Sequence, residues 1–144
     1  MQTFKFRLEK VQEWYTHQFQ TEERKLMVCL AALADAQKAI AALQAQRLAI
    51  EQEMVTREAI PAPEFVALGL YRLGAKKREA DLIAARRQRE AEAQAQRVRT
   101  QAAQRKVRLL EKLRQRRVAE HEYALTRELE ELAADAFFAK WAAR

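Results

Sequence analysis

The sequence predicts an all-α fold, two long helices closing on each other as an antiparallel coiled-coil hairpin, and three observations carry that expectation. The 144 residues are 49% apolar and 33% charged, with Ala, Gln, Arg, Glu and Leu dominant, the composition of long helices and not of a turn-rich globule. All four helix breakers, Pro61, Pro63, Gly69 and Gly74, lie in one window. Before it, apolar residues recur at alternating spacings of three and four, the seam of a coiled coil, and after it a less regular stripe follows. The chain is therefore expected to form one rod, with an arm over 4–58, a short reversal over 59–74 and a second arm over 75–143.

The first arm opens FKFRLEKVQEWY. At about 100° per residue Phe4, Leu8, Val11 and Tyr15 fall on one narrow stripe, and Phe6 points away from it. A targeting peptide would need an unbroken apolar core or an acid-poor, Ser-rich composition, and the stretch has neither. Leu26, Cys29, Leu33, Ala36, Ile40, Leu43, Ile50 and Met54 continue as a seam that only Arg47 interrupts. Joining the two parts through Phe19 and Glu22 takes one extra step of four, a stutter.

In the second arm the expected stripe is Ala91, Ala95, Val98, Ala102, Leu109 and Leu113, followed after a slip by Tyr123, Leu125, Leu129, Leu132 and Ala136. Alanine buries little area at about 25 cal/mol per Å², so the middle of the hairpin should be thin. The second arm is the longer one, and Ala133 to Arg144 is expected to project past the N-terminus by about 20 Å. Within the window, Glu64 to Leu73 is expected to make one or two helical turns.

Aromatic residues mark the ends of this hairpin and avoid its shaft: none falls between residues 20 and 64 or between 72 and 122. Large rings can seal frayed coiled-coil ends, or they can form two contact surfaces separated by a spacer. Charge is partitioned as well. Residues 1–60, 61–119 and 120–144 carry 0, +10 and −3, which accounts for the net +7. The basic excess, from Arg86 to Arg117, is spread around several helix faces as in a solvated exterior, with an acidic protein or a nucleic acid as the other readings. The shaft offers no ring on which a base could stack, which argues against single-stranded nucleic acid.

Chemistry is not signalled. There is no glycine-rich phosphate loop, His17 and His121 are isolated, and Cys29 occupies a seam position where a small apolar residue is the ordinary occupant. No catalytic residue, metal site or cofactor is expected, and the chain is expected not to be an enzyme. One cysteine points to a reducing, cytosolic setting. The longest uncharged apolar runs, LMVCLAALA and FVALGLY, fall well short of the roughly 18 residues that span a bilayer, so a soluble protein is expected.

The opening FKFRLEKVQEWY, the EFVALGLYRL at the break, and the later RKVRLLEKLRQRR and RELEELAADAFF together resemble, in order and along the whole chain, the flagellar FliJ family of type III export proteins. Where that family usually ends in an L-D-E-x-A-like segment followed by Arg, this chain has Leu132 to Ala136 and then Phe137, Phe138 and Trp141. The resemblance implies a non-enzymatic coiled-coil stalk. Such a protein stands in the pore of a hexameric export ATPase and stimulates it, meets the cytoplasmic domain of the export gate, and recycles export chaperones. It would be cytoplasmic and peripheral to the inner face of the cell membrane. The residues expected at the ring end are Phe4, Phe6, Trp14, Phe137, Phe138 and Trp141; those expected at the reversal, for the gate, are Phe65, Leu68, Tyr71 and Leu73. The injectisome counterparts of the family, a structural spacer and a basic coiled coil on nucleic acid are the alternatives.

Overall fold

The computed structural model of the chain describes residues 3–142. It contains two helices, α1 (Glu9–Val55) and α2 (Ala62–Ala142), packed against each other as a helical hairpin. The chain divides into two compact units, Met1–Gln20 with Gln101–Arg144, and Thr21–Thr100.

In the unit Thr21–Thr100 the helices run antiparallel, because partners of α2 fall in number as those of α1 rise. Gln96 reaches Glu22, Glu79 accepts from Arg47 at 2.7 Å and from Gln44 at 3.0 Å, Arg72 lies 3.4 Å from Glu51, and Glu64 pairs with Arg57. The α1 seam is the one read from the sequence: Leu26, Cys29, Leu33, Ala36, Ile50 and Met54 are half-buried, and Ile40 and Leu43 are buried. Arg47, the apparent interruption, keeps its place in the stripe by pairing with Glu79.

The α2 seam differs from the expected one. Ala93, Gln96 and Thr100 are buried, whereas Ala91, Ala95 and Val98 are exposed. Two polar residues lie in the seam, so a search for apolar spacing selects the wrong face. Glu22 makes this register favourable: Gln96 Nε2 donates to its carboxylate at 2.5 Å and to its main-chain carbonyl at 3.2 Å, and Thr100 Oγ1 donates to the same carbonyl at 3.2 Å. A buried polar group costs little once it is bonded in this way.

The reversal is shorter than expected and lies earlier, over residues 56–61. Thr56 and Arg57 close α1 with main-chain bonds to Gln52 and Met54, and the Pro61 carbonyl accepts from Glu64 and Phe65 to start α2. The Arg57 guanidinium bridges Glu53 and Glu64 across the turn. Of the four breakers only Pro61 lies in it. Pro63 sits in the first turn of α2, where its missing N–H has no intrahelical partner to lose. Gly69 and Gly74 are helical residues with ordinary negative φ, each costing about 1 kcal/mol relative to Ala. Neighbouring Leu68 and Ala75 are buried, and that packing offsets the loss.

In the other unit, Tyr15 and Phe19 of α1 are half-buried, as are Leu110, Leu113, Val118, His121 and Leu125 of α2, and Val107 is buried. Val107 and Leu110 lie on the buried face, and Ala102 and Leu109 of the expected stripe are exposed. Residues 4–8 are not helical, so the expected helical stripe through Phe4 does not form there. The Phe6 carbonyl instead accepts from the Glu9 N–H at 3.2 Å and opens α1. Gln12 is half-buried in place of the more exposed Val11. With Gln12 in the stripe, the spacing from Leu8 through Tyr15, Phe19, Glu22 and Leu26 alternates regularly, and the expected stutter disappears.

By length and composition α1 is apolar enough to cross a membrane, with an 18-residue window of mean hydropathy 1.7. Counting only uncharged runs misses it. Only 11% of that window is buried, by Ile40 and Leu43 in the seam, and Met27 and Val28 are exposed.

Candidate functional site

The expected ring-end residues fall into two groups, which the structure does not bring together. Phe4 and Phe6 are half-buried on the non-helical segment before α1, and the Phe4 ring meets His121 edge-on at 5.6 Å. With Leu8, Leu113, Arg117 and Glu120 they line a cleft of about 980 Å³. Trp14 is exposed and leans its edge on Tyr15, with ring centroids 4.9 Å apart; Lys106 Nζ lies 5.5 Å from the centre of the Tyr15 ring, a cation–π contact. Phe137, Phe138 and Trp141 follow His121 by 16 to 20 residues on one continuous helix, about 24–30 Å further along at 1.5 Å per residue.

Every described residue from Thr126 to Ala142 is exposed, so the unpaired end of α2 starts earlier than Ala133. Its stripe of Leu129, Leu132 and Ala136 faces solvent, and Phe137 and Phe138 touch each other edge-on at 6.1 Å. Trp141 is 74% exposed. Arg127 and Glu131 pair locally at 3.2 Å, one helical turn apart. The segment is a solvated helix holding three large rings, and no described residue of its own unit buries them.

The four reversal residues divide by helix face. Leu68 is 7% exposed and Tyr71 half-buried, with its hydroxyl buried and without a hydrogen-bond partner. Leu68 packs within the unit Thr21–Thr100 and Tyr71 does so in part, so of the four Leu68 is the one withdrawn from an open surface. Phe65 and Leu73 are 63% and 69% exposed, and the structure adds Val66 and Leu70 beside them. The helical period running on through the breaker window was the available signal for these two.

On the basic stretch of α2, Arg89 and Arg117 pair with Glu92 and Glu120 one turn away, Lys106 covers Tyr15, and Arg86 is half-buried with its Nε unpartnered. The Glu22 carboxyl is held below its ordinary 4.5 by hydrogen bonds from Lys25 and then Gln96, with Lys25 and Arg99 adding positive charge. Glu92 is lowered in the same way by Gln88 and Arg89. Cys29 is half-buried beside a groove of about 500 Å³ that Val28 and Gln96 also line. Among the described residues no three His, Cys, Asp or Glu side chains are grouped so as to hold a metal ion.

The chain matches none of the known protein families, curated proteins or solved structures with which it was compared.

Proposed function

We propose that the chain is a non-enzymatic stalk of a type III protein export apparatus, the flagellar one by the resemblance of its opening FKFRLEKVQEWY and of the stretches that follow it in order. The solvated end of α2, Thr126 to Ala142, carries the reading. A ring pore admits a single helix readily, and a soluble helix that leaves Phe137, Phe138 and Trp141 in water has the apolar anchors that such an interface uses. In this reading the rings enter the pore of the hexameric export ATPase and favour its active state, while Phe4, Phe6 and Trp14 brace the mouth. The reversal end, through Phe65 and Leu73, is directed to the export gate, and export chaperones are further partners. The chain supplies no phosphate loop, so hydrolysis belongs to the ring.

Co-purification tests this. The full chain, mixed with the export ATPase of the same cell under conditions that keep it hexameric, should elute with the ring and should fail to do so when Phe137, Phe138 and Trp141 are all changed to Ala. A chain that elutes alone in both forms would contradict the reading.

The cations of α2 support one other reading. Among the described residues most cations from Arg86 to Arg117 belong to no ion pair, and a duplex backbone could occupy them by charge alone.

A further inference from the structure

We propose that the first three turns of α2 form a contact surface for an anionic lipid bilayer. The proposal goes beyond the ring reading and does not rest on it, and for Phe65 and Leu73 it puts a bilayer in the place of the export gate. Phe65, Val66, Leu70 and Leu73 are each 62–69% exposed, and with Ala62 and Gly69 they cover an arc of about 140° on one side of the helix. The opposite side is already used, because Leu68 and Ala75 are buried and Tyr71 is half-buried within the unit. This short segment therefore has two apolar faces, and α1 covers one. Gly69 lies at the middle of the open face, where an added Cβ would meet nothing within 4 Å. The face is a shallow apolar strip, not a knob shaped for a pocket.

Charge selects the occupant. Three acidic groups near the strip are paired within the unit, Glu64 with Arg57, Glu79 with Arg47 and Glu51 with Arg72, and two exposed ones, Glu58 and Asp81, are in no ion pair among the described residues and are outnumbered by the cations that follow the strip. Lys76, Lys77 and Arg78 follow immediately, are exposed, and belong to no ion pair among the described residues. At 100° per residue Lys76 and Lys77 extend the same arc by one turn. An apolar strip that ends in unpaired cations is complementary to acyl chains beneath a layer of lipid phosphates and carboxylates. A wholly apolar protein groove would leave those cations without a counter-charge. The segment is too short to span a bilayer, so it would lie in the interface with Phe65 and Leu70 pointing inward.

The test uses the full chain and sedimentation with large vesicles. It should pellet with phosphatidylserine–phosphatidylcholine vesicles and stay in solution with phosphatidylcholine alone. Lys76→Glu with Lys77→Glu should weaken binding by at least about thirtyfold, given the contribution of each cation near an anionic surface. Val66→Glu with Leu70→Glu should also release the chain, and since both sites are exposed, its circular dichroism should stay unchanged. Arg105→Glu with Arg108→Glu, a control on the shaft, should shift binding far less. Failure to bind anionic vesicles would overturn the proposal and leave the strip to a protein partner. Binding that survives the strip variants but is lost in the shaft control would overturn it too, by assigning the contact to the basic stretch.

Discussion

Gln96 and Glu22 face each other across the helix pair at 2.5 Å, a polar contact in a seam where sequence periodicity leads one to expect only apolar residues. Gln96 is 6% exposed and donates to Glu22, and Thr100, one turn on and 8% exposed, shares its hydroxyl proton between the Gln96 carbonyl at 2.9 Å and the Glu22 carbonyl at 3.2 Å. An apolar seam built largely from Ala would tolerate sliding. A layer that is satisfied in one alignment only fixes the register, the best-attested use of a buried polar residue in a coiled coil.

That contact makes stability depend on pH. The folded Glu22 carboxyl titrates below its ordinary 4.5, through hydrogen bonds from Lys25 and then Gln96, so its contribution is fully present above 4.5 and is lost as pH falls through the lower folded value. Glu22→Gln should therefore lower the thermal midpoint at neutral pH, and the gap between variant and parent should close as the pH is taken below 4.5. A gap that stayed constant over that range would show that the Glu22 charge takes no part.

Tyr71 separates packing from partner contact. Its buried hydroxyl lacks a partner, so Tyr71→Phe should leave stability unchanged or raise it by up to about 1 kcal/mol. Tyr71→Ala should cost about 2 kcal/mol, the loss of a partly buried ring from a packed seam. Denaturant unfolding followed by circular dichroism measures both, and a Tyr71→Ala variant as stable as the parent would return this residue to the partner surface.

The glycines of α2 give the opposite sign. Neither has positive φ, and an added Cβ at Gly69 or Gly74 meets nothing within 4 Å. Gly69→Ala and Gly74→Ala should each stabilise the chain by about 1 kcal/mol, the propensity difference in a helix interior. A loss of stability in either variant would mean that the chain bends at the glycine and that the reversal extends past Pro61.

These glycines also show how far the sequence could be read. The α1 seam was legible to the residue because Leu26 through Met54 obeys one repeat with large side chains. The reversal is not legible from Gly and Pro content alone, because these residues act by position: Pro63 occupies the first turn of a helix, where proline fits, and two glycines cost less than the packing of Leu68 and Ala75 returns. The α2 seam was placed one face away because Gln96 and Thr100 look like exterior residues until their acceptor on the other helix is known. At the candidate site, the exposure of Phe137, Phe138 and Trp141 was legible from the inequality of the arms. The separation of these rings from Phe4 and Phe6 was not, since it depends on where the segment before α1 leaves the helical path.

For the cations of α2, fluorescence anisotropy of a labelled DNA duplex titrated with the chain should show little binding at physiological salt and weak, steeply salt-dependent binding below it. Tight binding that persists at physiological salt would favour the nucleic-acid reading over the stalk.

The most direct measurement is ATP hydrolysis by the purified hexameric export ATPase, titrated with the full chain and with a chain ending at Ala136. All described residues removed by that truncation are exposed, so the circular dichroism of what remains should change only by the helix deleted. The stalk reading predicts that the full chain stimulates hydrolysis and that the truncated chain does not. Equal stimulation by both would contradict it and move the contact to the basic stretch from Arg86 to Arg117.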